Sequence, residues 1–330
     1  LDLGTGEVIW DKRTPSVYTR FVQSGTPCVA AGKVFILGPE RTAICHDAST
    51  GDILWQQRLP GEFRDEYFAS SFAVHNDVAL VACGPPFALR LSDGEILWQG
   101  DAKPTYGSHS SPVIWLANET SVAICNTSGG RTQAYRLGDG ELLWELETGV
   151  GQSSPVVVGD LLLTYGSSRK SGLIAYQLSR DAPHNEPKQI WQFRGAADSG
   201  STPVVSNNYV FVQGEKRVAK VALSDGKRIW QTTLPVSSPR YTSLIGVRDQ
   251  VLFGWEGLIS FDAESDRFVE HYTARIDSDG VLIRDEDLRA KLKMDEIEKS
   301  EDGLSKAEST WQKQAIRTGP LRCCTPAVSD

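Results

Sequence analysis

Two adjacent cysteines, Cys323 and Cys324, are the side chains of this sequence that most directly suggest chemistry. Such a pair can remain as two buried thiols or enter a disulfide, and the sequence leaves both alternatives open. No two cysteines have the C-x-x-C spacing of a zinc or redox motif. The other four stand singly in apolar runs, and we expect them to be small core residues: Cys28, Cys45, Cys83 and Cys125.

The segment ARIDSDGVLIRDED carries oxygen ligands at spacings that suggest calcium. If Arg275 is counted as the first position of a twelve-residue loop, Asp277, Asp279 and Glu286 fall where an EF-hand places side chains. Arg275 itself, however, puts a positive charge where the first acidic ligand belongs. We therefore predict a polar turn here and no metal site.

Composition and missing motifs exclude several classes of function. The net charge is −8, and no cluster of Lys and Arg is interleaved with aromatic residues, so we expect no nucleic-acid partner. The sequence contains no run of about 18 apolar residues, so we expect no transmembrane helix. The phosphate-binding glycine motif, G-x-S-x-G and H-E-x-x-H are all missing, and paired carboxylates such as Asp65 and Glu66 lie in polar loops. Hydrolytic chemistry is therefore not predicted.

A short motif that ends in tryptophan recurs along the chain and indicates which elements would position a site. The copies read LGTGEVIW, ASTGDILW, LSDGEILW, LGDGELLW and LSDGKRIW, and they end at Trp10, Trp55, Trp98, Trp144 and Trp230. Trp191 closes a further copy that is stretched by the polar insertion RDAPHNEPK. One more interval of about 40 residues leads to Glu270, where we expect a degenerate copy without tryptophan.

A second motif precedes each tryptophan and begins with small residues, as in SSPVIWLA, SSPVVVGD and STPVVSNN. Between the two motifs lie short β-branched runs bounded by Gly, Asn and Asp, which predict strands joined by hairpins. Each repeat therefore holds four antiparallel strands, with tryptophan packing one unit on the next and small residues where the units crowd together. Repeats of this length predict an all-β fold, a β-propeller.

The combination of A-x-x-L-S-D-G-x-x-x-W with a small-small-Pro strand resembles the PQQ-like, or quinoprotein-type, propeller repeat. The resemblance covers nearly the whole chain and implies a single domain over residues 1–330. The chain starts in the third strand of one blade and stops after the first strand of another, so we expect a fragment of an eight-bladed parent, with seven blades as the alternative.

Residues 284–314 interrupt the repeat pattern. They are rich in charged helix formers with acid–base pairs such as Asp287 and Lys291, and they predict a helical insertion. A solvated helix and a helix that docks a partner or covers a site are both compatible with this pattern.

The loops that lead from the fourth strand of one blade to the first strand of the next form the axial mouth where propeller ligands usually bind. The residues three or four places before the proline position differ widely from repeat to repeat, whereas the residues next to them stay small. This pattern is typical of a common scaffold on which one surface is adapted to a ligand. The variable residues could also simply face solvent. The candidate binding residues are Gln23, His109, Gln152, Arg240, Tyr241, Arg322, Cys323 and Cys324.

The resemblance also gives the cysteine pair a possible role. Quinoprotein alcohol dehydrogenases carry adjacent cysteines before a first strand, where their disulfide stacks on pyrroloquinoline quinone (PQQ), and RCCTPAV is similar in place. The catalytic aspartate and the calcium ligands of those enzymes have no match that we can assign in this sequence. The resemblance therefore leaves a PQQ- and calcium-dependent dehydrogenase of alcohols or sugars as the alternative function.

We predict a non-catalytic binding scaffold that needs no cofactor and holds a protein, polysaccharide or small molecule at the axial mouth. A sensor domain of a larger regulatory protein is a further alternative. The resemblance implies a periplasmic or secreted bacterial protein, and we expect a monomer.

Overall fold

Six antiparallel sheets account for nearly all regular structure in the part of the chain that the computed structural model describes. The described residues are 1–2, 4–12, 25–61, 70–100, 109–127, 129–234, 242–254, 257–276, 282–291, 293, 296–297, 299 and 306. They contain no helix that is long and apolar enough to cross a bilayer. The chain divides into two compact units, Leu1–Gly200 and Ser201–Asp330.

The first unit holds four sheets, each with four strands in chain order. The first sheet contains β1 (Cys28–Ala30), β2 (Lys33–Gly38), β3 (Thr42–Asp47) and β4 (Ile53–Arg58), with a 3₁₀ turn at Pro39–Arg41. The second contains β5 (Ala73–His75), β6 (Val78–Ala82), β7 (Pro86–Arg90) and β8 (Ile96–Gln99). The third contains β9 (Val113–Leu116), β10 (Ser121–Thr127), β11 (Arg131–Arg136) and β12 (Leu142–Glu147). The fourth contains β13 (Val156–Val158), β14 (Leu161–Tyr165), β15 (Leu173–Gln177) and β16 (Lys188–Phe193).

The second unit holds two sheets and a helix. The fifth sheet contains β17 (Val204–Ser206), β18 (Tyr209–Gly214), β19 (Arg217–Ala222) and β20 (Arg228–Thr233). The sixth contains β21 (Leu244–Val247), β22 (Gln250–Gly254), β23 (Gly257–Asp262), β24 (Glu270–Ile276) and β25 (Leu282–Arg284), and the helix α1 spans Asp285–Lys291. The predicted helical insertion over residues 284–314 begins with a helix, α1, and most of the positions after Lys291 lie outside the described residues. The sixth sheet differs from the prediction of four strands because β25 pairs with the outer edge of β24.

The small-residue motif begins the first strand of a sheet, as predicted. Pro27, Pro112, Pro155 and Pro203 each precede the first residue of β1, β9, β13 and β17. Proline is tolerated there because a strand's first residue need not donate a ladder hydrogen bond. The polar insertion RDAPHNEPK lies between β15 and β16, and Trp191 lies on β16, also as predicted. The count of eight blades stays a prediction.

A β-bulge follows the third strand's central residue in every sheet and fixes the position of the tryptophan. In the first sheet Trp55 pairs with Cys45 and Ile53 pairs with His46, so Leu54 is an extra residue without a partner. The same shift leaves Leu97 and Ile190 as extra residues on β8 and β16. A bulge lets two neighbouring side chains leave the usual alternation. In the first sheet the two residues before the tryptophan, Ile53 and Leu54, therefore both face solvent, while Trp55 is buried.

The same register corrects the prediction for the sixth sheet. Glu270 pairs with Phe261, which is the place of Ile53 in the first sheet. Tyr272 pairs with Ser260 and therefore stands where the other sheets have tryptophan. Counting residues from Trp230 missed this position by two because the turn before β24 differs in length from the earlier turns.

Five of the tryptophan anchors donate an indole hydrogen bond to the sheet that follows them in the chain, and the anchors other than Trp191 are the five concerned. The indole Nε1–H of Trp55 donates to the carbonyl oxygen of Leu91 at 3.1 Å, and that of Trp98 donates to Leu137 at 2.7 Å. The other anchors do the same at carbonyls of the next turn between third and fourth strands: Trp10 to Ala48, Trp144 to Pro183 and Trp230 to Ser265. Tryptophan therefore joins consecutive repeats, as predicted.

The glycine of the turn is the second half of this joint. A Cβ added to Gly94 would lie 2.6 Å from the Trp55 ring, and one added to Gly140 would lie 2.7 Å from the Trp98 ring. Both glycines have positive φ, 78° and 77°. The glycine of the D-G dipeptide thus allows a left-handed turn, and because it has no Cβ it leaves room for the tryptophan of the preceding sheet.

The hydrophobic core follows from this joint and lies between consecutive sheets. One cluster joins Phe35 and Trp55 of the first sheet to Phe72 and Phe87 of the second. Equivalent clusters join the second sheet to the third, the third to the fourth, and the fifth to the sixth.

The single cysteines follow the prediction of core residues with one qualification. Burial raises the pKa of Cys45 to about 11 and the pKa values of Cys83 and Cys125 to about 12. Cys28 is only half-buried.

Gly140→Ala is expected to lower the free energy of unfolding by about 2–4 kcal/mol, because it adds left-handed strain and a collision with Trp98. Urea unfolding checks this value. Gly138→Ala, in the same turn, is the matched control, since a Cβ there meets no atom within 4 Å. Equal losses of unfolding free energy in the two variants would contradict the role of Gly140 as the residue that makes room for the indole of Trp98.

Candidate functional site

The candidate site lies at the end of the sheets where a fourth strand connects to the next first strand. We call this the mouth end. Of the predicted residues, His109 and Gln152 lie within the described part of the chain, on the β8–β9 and β12–β13 connections. The remaining candidates lie outside the described residues: Gln23, Arg240, Tyr241, Arg322, Cys323 and Cys324.

A ladder of hydroxyl groups joins the first strands just below these connections. The backbone N–H of Thr26 donates to Ser71 Oγ at 2.9 Å. Ser71 N–H donates to Ser111 Oγ, and Ser111 N–H donates to Ser154 Oγ, both at 2.9 Å. In the second unit Thr202 N–H donates to Ser243 Oγ at 3.0 Å. In the second, third, fourth and sixth sheets, one serine therefore satisfies a backbone donor of the preceding sheet.

A second row of hydroxyl residues, one position earlier, is buried under the mouth end. Ser70 Oγ accepts from the Ala82 N–H at 3.1 Å, and Ser153 Oγ donates to the Tyr165 carbonyl at 2.6 Å. In the second unit Ser201 and Thr242 both donate to Gln213 Oε1. Ser110 is also buried, and its Oγ has no hydrogen-bond partner among the described residues. Within each unit, we call this row of buried hydroxyl residues the polar floor of the mouth end.

His109 and Gln152 occupy the same position above this floor, one residue before Ser110 and Ser153. Both are half-buried. Burial lowers the pKa of His109, which favours a neutral imidazole that can both donate and accept a hydrogen bond. The two side chains can therefore offer hydrogen bonds in either direction without a net charge.

The backbone around Gln152 is tightly packed. Its N–H donates to the Ser199 carbonyl of the next connection, and a Cβ on Gly151 would collide with the same carbonyl. Nearby in sequence, the buried carboxylate of Asp198 accepts the Gly200 N–H at 2.8 Å. These contacts hold the β12–β13 connection in a defined conformation.

Arg41 braces the mouth end and was not anticipated from the sequence. Its guanidinium is buried and donates to the carbonyl oxygens of Leu59, Pro60 and Cys83, at 3.4, 2.5 and 2.6 Å. It thereby ties the first sheet to the second. A single arginine after a glycine-proline turn gave no signal of this role.

The described residues do not supply the ligands that calcium would need. Among the residues described, no three His, Cys, Asp or Glu side chains come together as a metal site. On the described parts of the mouth-end connections of the first unit, Asp198 is the one carboxylate, and a backbone N–H already uses one of its oxygens. A single carboxylate does not provide the six to eight oxygen ligands that a calcium ion takes.

Comparison with known proteins agrees with this architecture. Residues 1–232 match the family model described as outer membrane protein assembly factor BamB. The chain belongs to this family. This PQQ-like propeller has no significant match among curated protein sequences.

Solved structures show the same fold at low sequence identity. BamB from Moraxella catarrhalis is 15% identical, with 77% of each chain covered and a TM-score of 0.58. A europium-containing methanol dehydrogenase is 13% identical, with 79% of this PQQ-like propeller and 72% of that chain covered and a TM-score of 0.55. A computationally designed protein, Ika8, is 10% identical over 78% of this chain and 83% of that one, with a TM-score of 0.57.

Ser111→Ala is expected to lower the free energy of unfolding by about 1–3 kcal/mol, because the Ser71 N–H loses its acceptor in a crowded setting. Ser111→Thr keeps the hydroxyl and should restore most of the loss, since Thr26 and Thr202 occupy this position in other sheets. Denaturant unfolding of the three proteins measures both effects. A threonine variant as unstable as the alanine variant would contradict the ladder.

His109 should make the protein less stable in mild acid. Its pKa is lowered in the folded state, so the unfolded chain binds the proton more tightly. Its effect on stability is absent above the unfolded pKa of about 6.5 and grows as pH falls toward the folded pKa, by at most about 1.4 kcal/mol per pH unit.

His109→Gln should remove this part of the pH dependence. Urea unfolding between neutral pH and mild acid checks the slope, and the exposed His184→Gln serves as the control for loss of an imidazole. An unchanged slope in the His109 variant would contradict the effect of burial.

Proposed function

We propose that this chain is a non-catalytic scaffold that holds a protein partner through its mouth-end loops. The proposal rests on one position of the mouth-end connections, where the side chain differs from one connection to the next while the residue after it stays the same. The position above the floor is His109, Gln152 and Gly200 on successive connections, whereas the next residue is always serine. A surface that varies on a fixed framework is typical of recognition sites.

The family supports a protein as the partner. The matching family model is described as an outer membrane protein assembly factor, and it covers all four sheets of the first unit. We infer from this description that the chain works at the periplasmic side of an outer membrane and binds a component of membrane-protein assembly there. The polar, uncharged character of His109 and Gln152 suits hydrogen bonding to a partner's backbone.

Photo-crosslinking in the native cell tests this proposal. A photoreactive residue placed at 109 or 152 in the full-length protein is expected to capture a protein partner. The same residue at Gln56, an exposed position on β4, should capture none. Equal capture from all three positions, or capture from Gln56 alone, would exclude the mouth end as the binding surface.

Titration with PQQ and calcium tests the catalytic alternative. The scaffold proposal expects no saturable change in quinone absorbance and no rise in melting temperature. Saturable binding that is lost in a Cys323→Ser, Cys324→Ser variant would overturn the scaffold proposal in favour of a quinoprotein dehydrogenase.

A further inference from the structure

A cavity of about 270 Å³ opens between the second and third sheets, at the end opposite the mouth. We call it the hairpin-end cavity. His75, Asn76 and Val78 line it from the second sheet, and Glu119, Ser121 and Arg136 line it from the third. Its walls therefore combine an imidazole, a carboxylate and a guanidinium with small polar groups.

The interface between the third and fourth sheets shows what fills the corresponding space. His75 pairs with Val78, which pairs with Arg90, and Trp115 pairs in the same way with Val122 and Arg136. Trp115 therefore takes the place of His75. Its indole is buried and donates to the Gly159 carbonyl of the fourth sheet at 3.1 Å.

An arginine from the chain's own insertion completes that filled interface. Arg180 lies in the insertion between β15 and β16, and its Nε is 2.6 Å from Asp160 Oδ1. Its Nη1 donates to the Leu116 carbonyl, at the end of β9, at 3.2 Å. Arg180 thus bridges an acidic hairpin residue of one sheet to a strand-end carbonyl of the preceding sheet.

The hairpin-end cavity has an acidic side chain but no arginine to match it. The backbone register places Ser121 where the next interface has Asp160, and the carboxylate at the cavity comes from Glu119, two residues earlier in the β9–β10 hairpin. Glu119 forms no ion pair with any described residue, and the ion pairs at the cavity wall join Arg136 to Asp139 and Glu141. Arg136 cannot take the role of Arg180, because it is held by Asp139 at 2.7 Å and by Glu141 at 2.5 Å. The turn between β11 and β12 contributes Leu137 and Gly138 to the cavity wall but, unlike the longer insertion between β15 and β16, it brings no arginine there.

We propose that the hairpin-end cavity binds an extended, arginine-bearing segment of a protein partner, with the guanidinium on Glu119 and the segment in the volume that Trp115 and Arg180 fill in the next interface. This rests on the proposed scaffold function and adds a second contact surface with a defined partner chemistry. A guanidinium suits the place because it can bridge a carboxylate and backbone carbonyls at once.

A peptide with the sequence of the insertion, Leu178–Lys188, is a direct probe. Labelled and titrated with the full chain, it should bind saturably in fluorescence anisotropy. Glu119→Gln, or Arg180→Ala in the peptide alone, should each weaken binding by about threefold to tenfold. Glu7→Gln, which removes an exposed carboxylate elsewhere, should leave the affinity unchanged. No binding at millimolar peptide, or no effect of Glu119→Gln, would overturn the proposal.

His75→Trp provides an independent arm, because it restores the indole that the next interface contains. We expect it to weaken peptide binding at least about tenfold while the melting temperature stays equal or rises, since the variant fills a cavity. Unchanged peptide affinity in a folded variant would overturn the proposal. A dimer in sedimentation that His75→Trp abolishes would assign the cavity to a second copy of the chain and overturn it as well. Crosslinks from 109 and 152 report the mouth end separately, so the two proposals can fail independently.

Discussion

The fold depends on one joint, in which a tryptophan of each repeat enters the turn of the next. The indole loses its hydration and donates its N–H to a turn carbonyl, and the indoles of Trp10, Trp55 and Trp98 also rest against a glycine that has no side chain to exclude them. The bulge on the fourth strand is part of this joint because it lies directly before the tryptophan and sets which third-strand residue the tryptophan faces. Cores between sheets, and the close approach of the first strands, follow once the joint is made.

Much of this fold could be predicted because the joint leaves a periodic trace in the sequence. Tryptophan, the D-G turn and the small-Pro element each recur, so the strands and their order followed from pattern alone. The sixth sheet showed the limit. Glu270 was expected from the spacing, but the bulge and the turn length place Tyr272 in the anchor register. The fifth strand β25 was missed because a three-residue strand at the edge of a charged segment has no periodicity to detect.

The candidate site could be predicted only as a position on the scaffold. His109 and Gln152 were found because the small-residue motif aligns the connections. The hydroxyl ladder was not foreseen, since Ser111 was recognised as small and its hydrogen bond to the preceding sheet depends on geometry. Arg41 and the hairpin-end cavity were missed for the same reason. Each depends on which side chain faces a neighbouring sheet, and a single sequence without its fold does not contain that information.

The tryptophan joint also has a direction, which bears on how such a chain can change over time. Each of the five described indole bonds runs forward along the chain, from one repeat to the turn of the next, so these interfaces are head-to-tail copies of one another. A duplicated stretch of one period would bring both an indole and a turn that can receive one, wherever in the repeat its ends fell. Lengthening or shortening the array by whole repeats therefore preserves every contact of this type, whereas gain or loss of part of a repeat leaves an indole without its glycine.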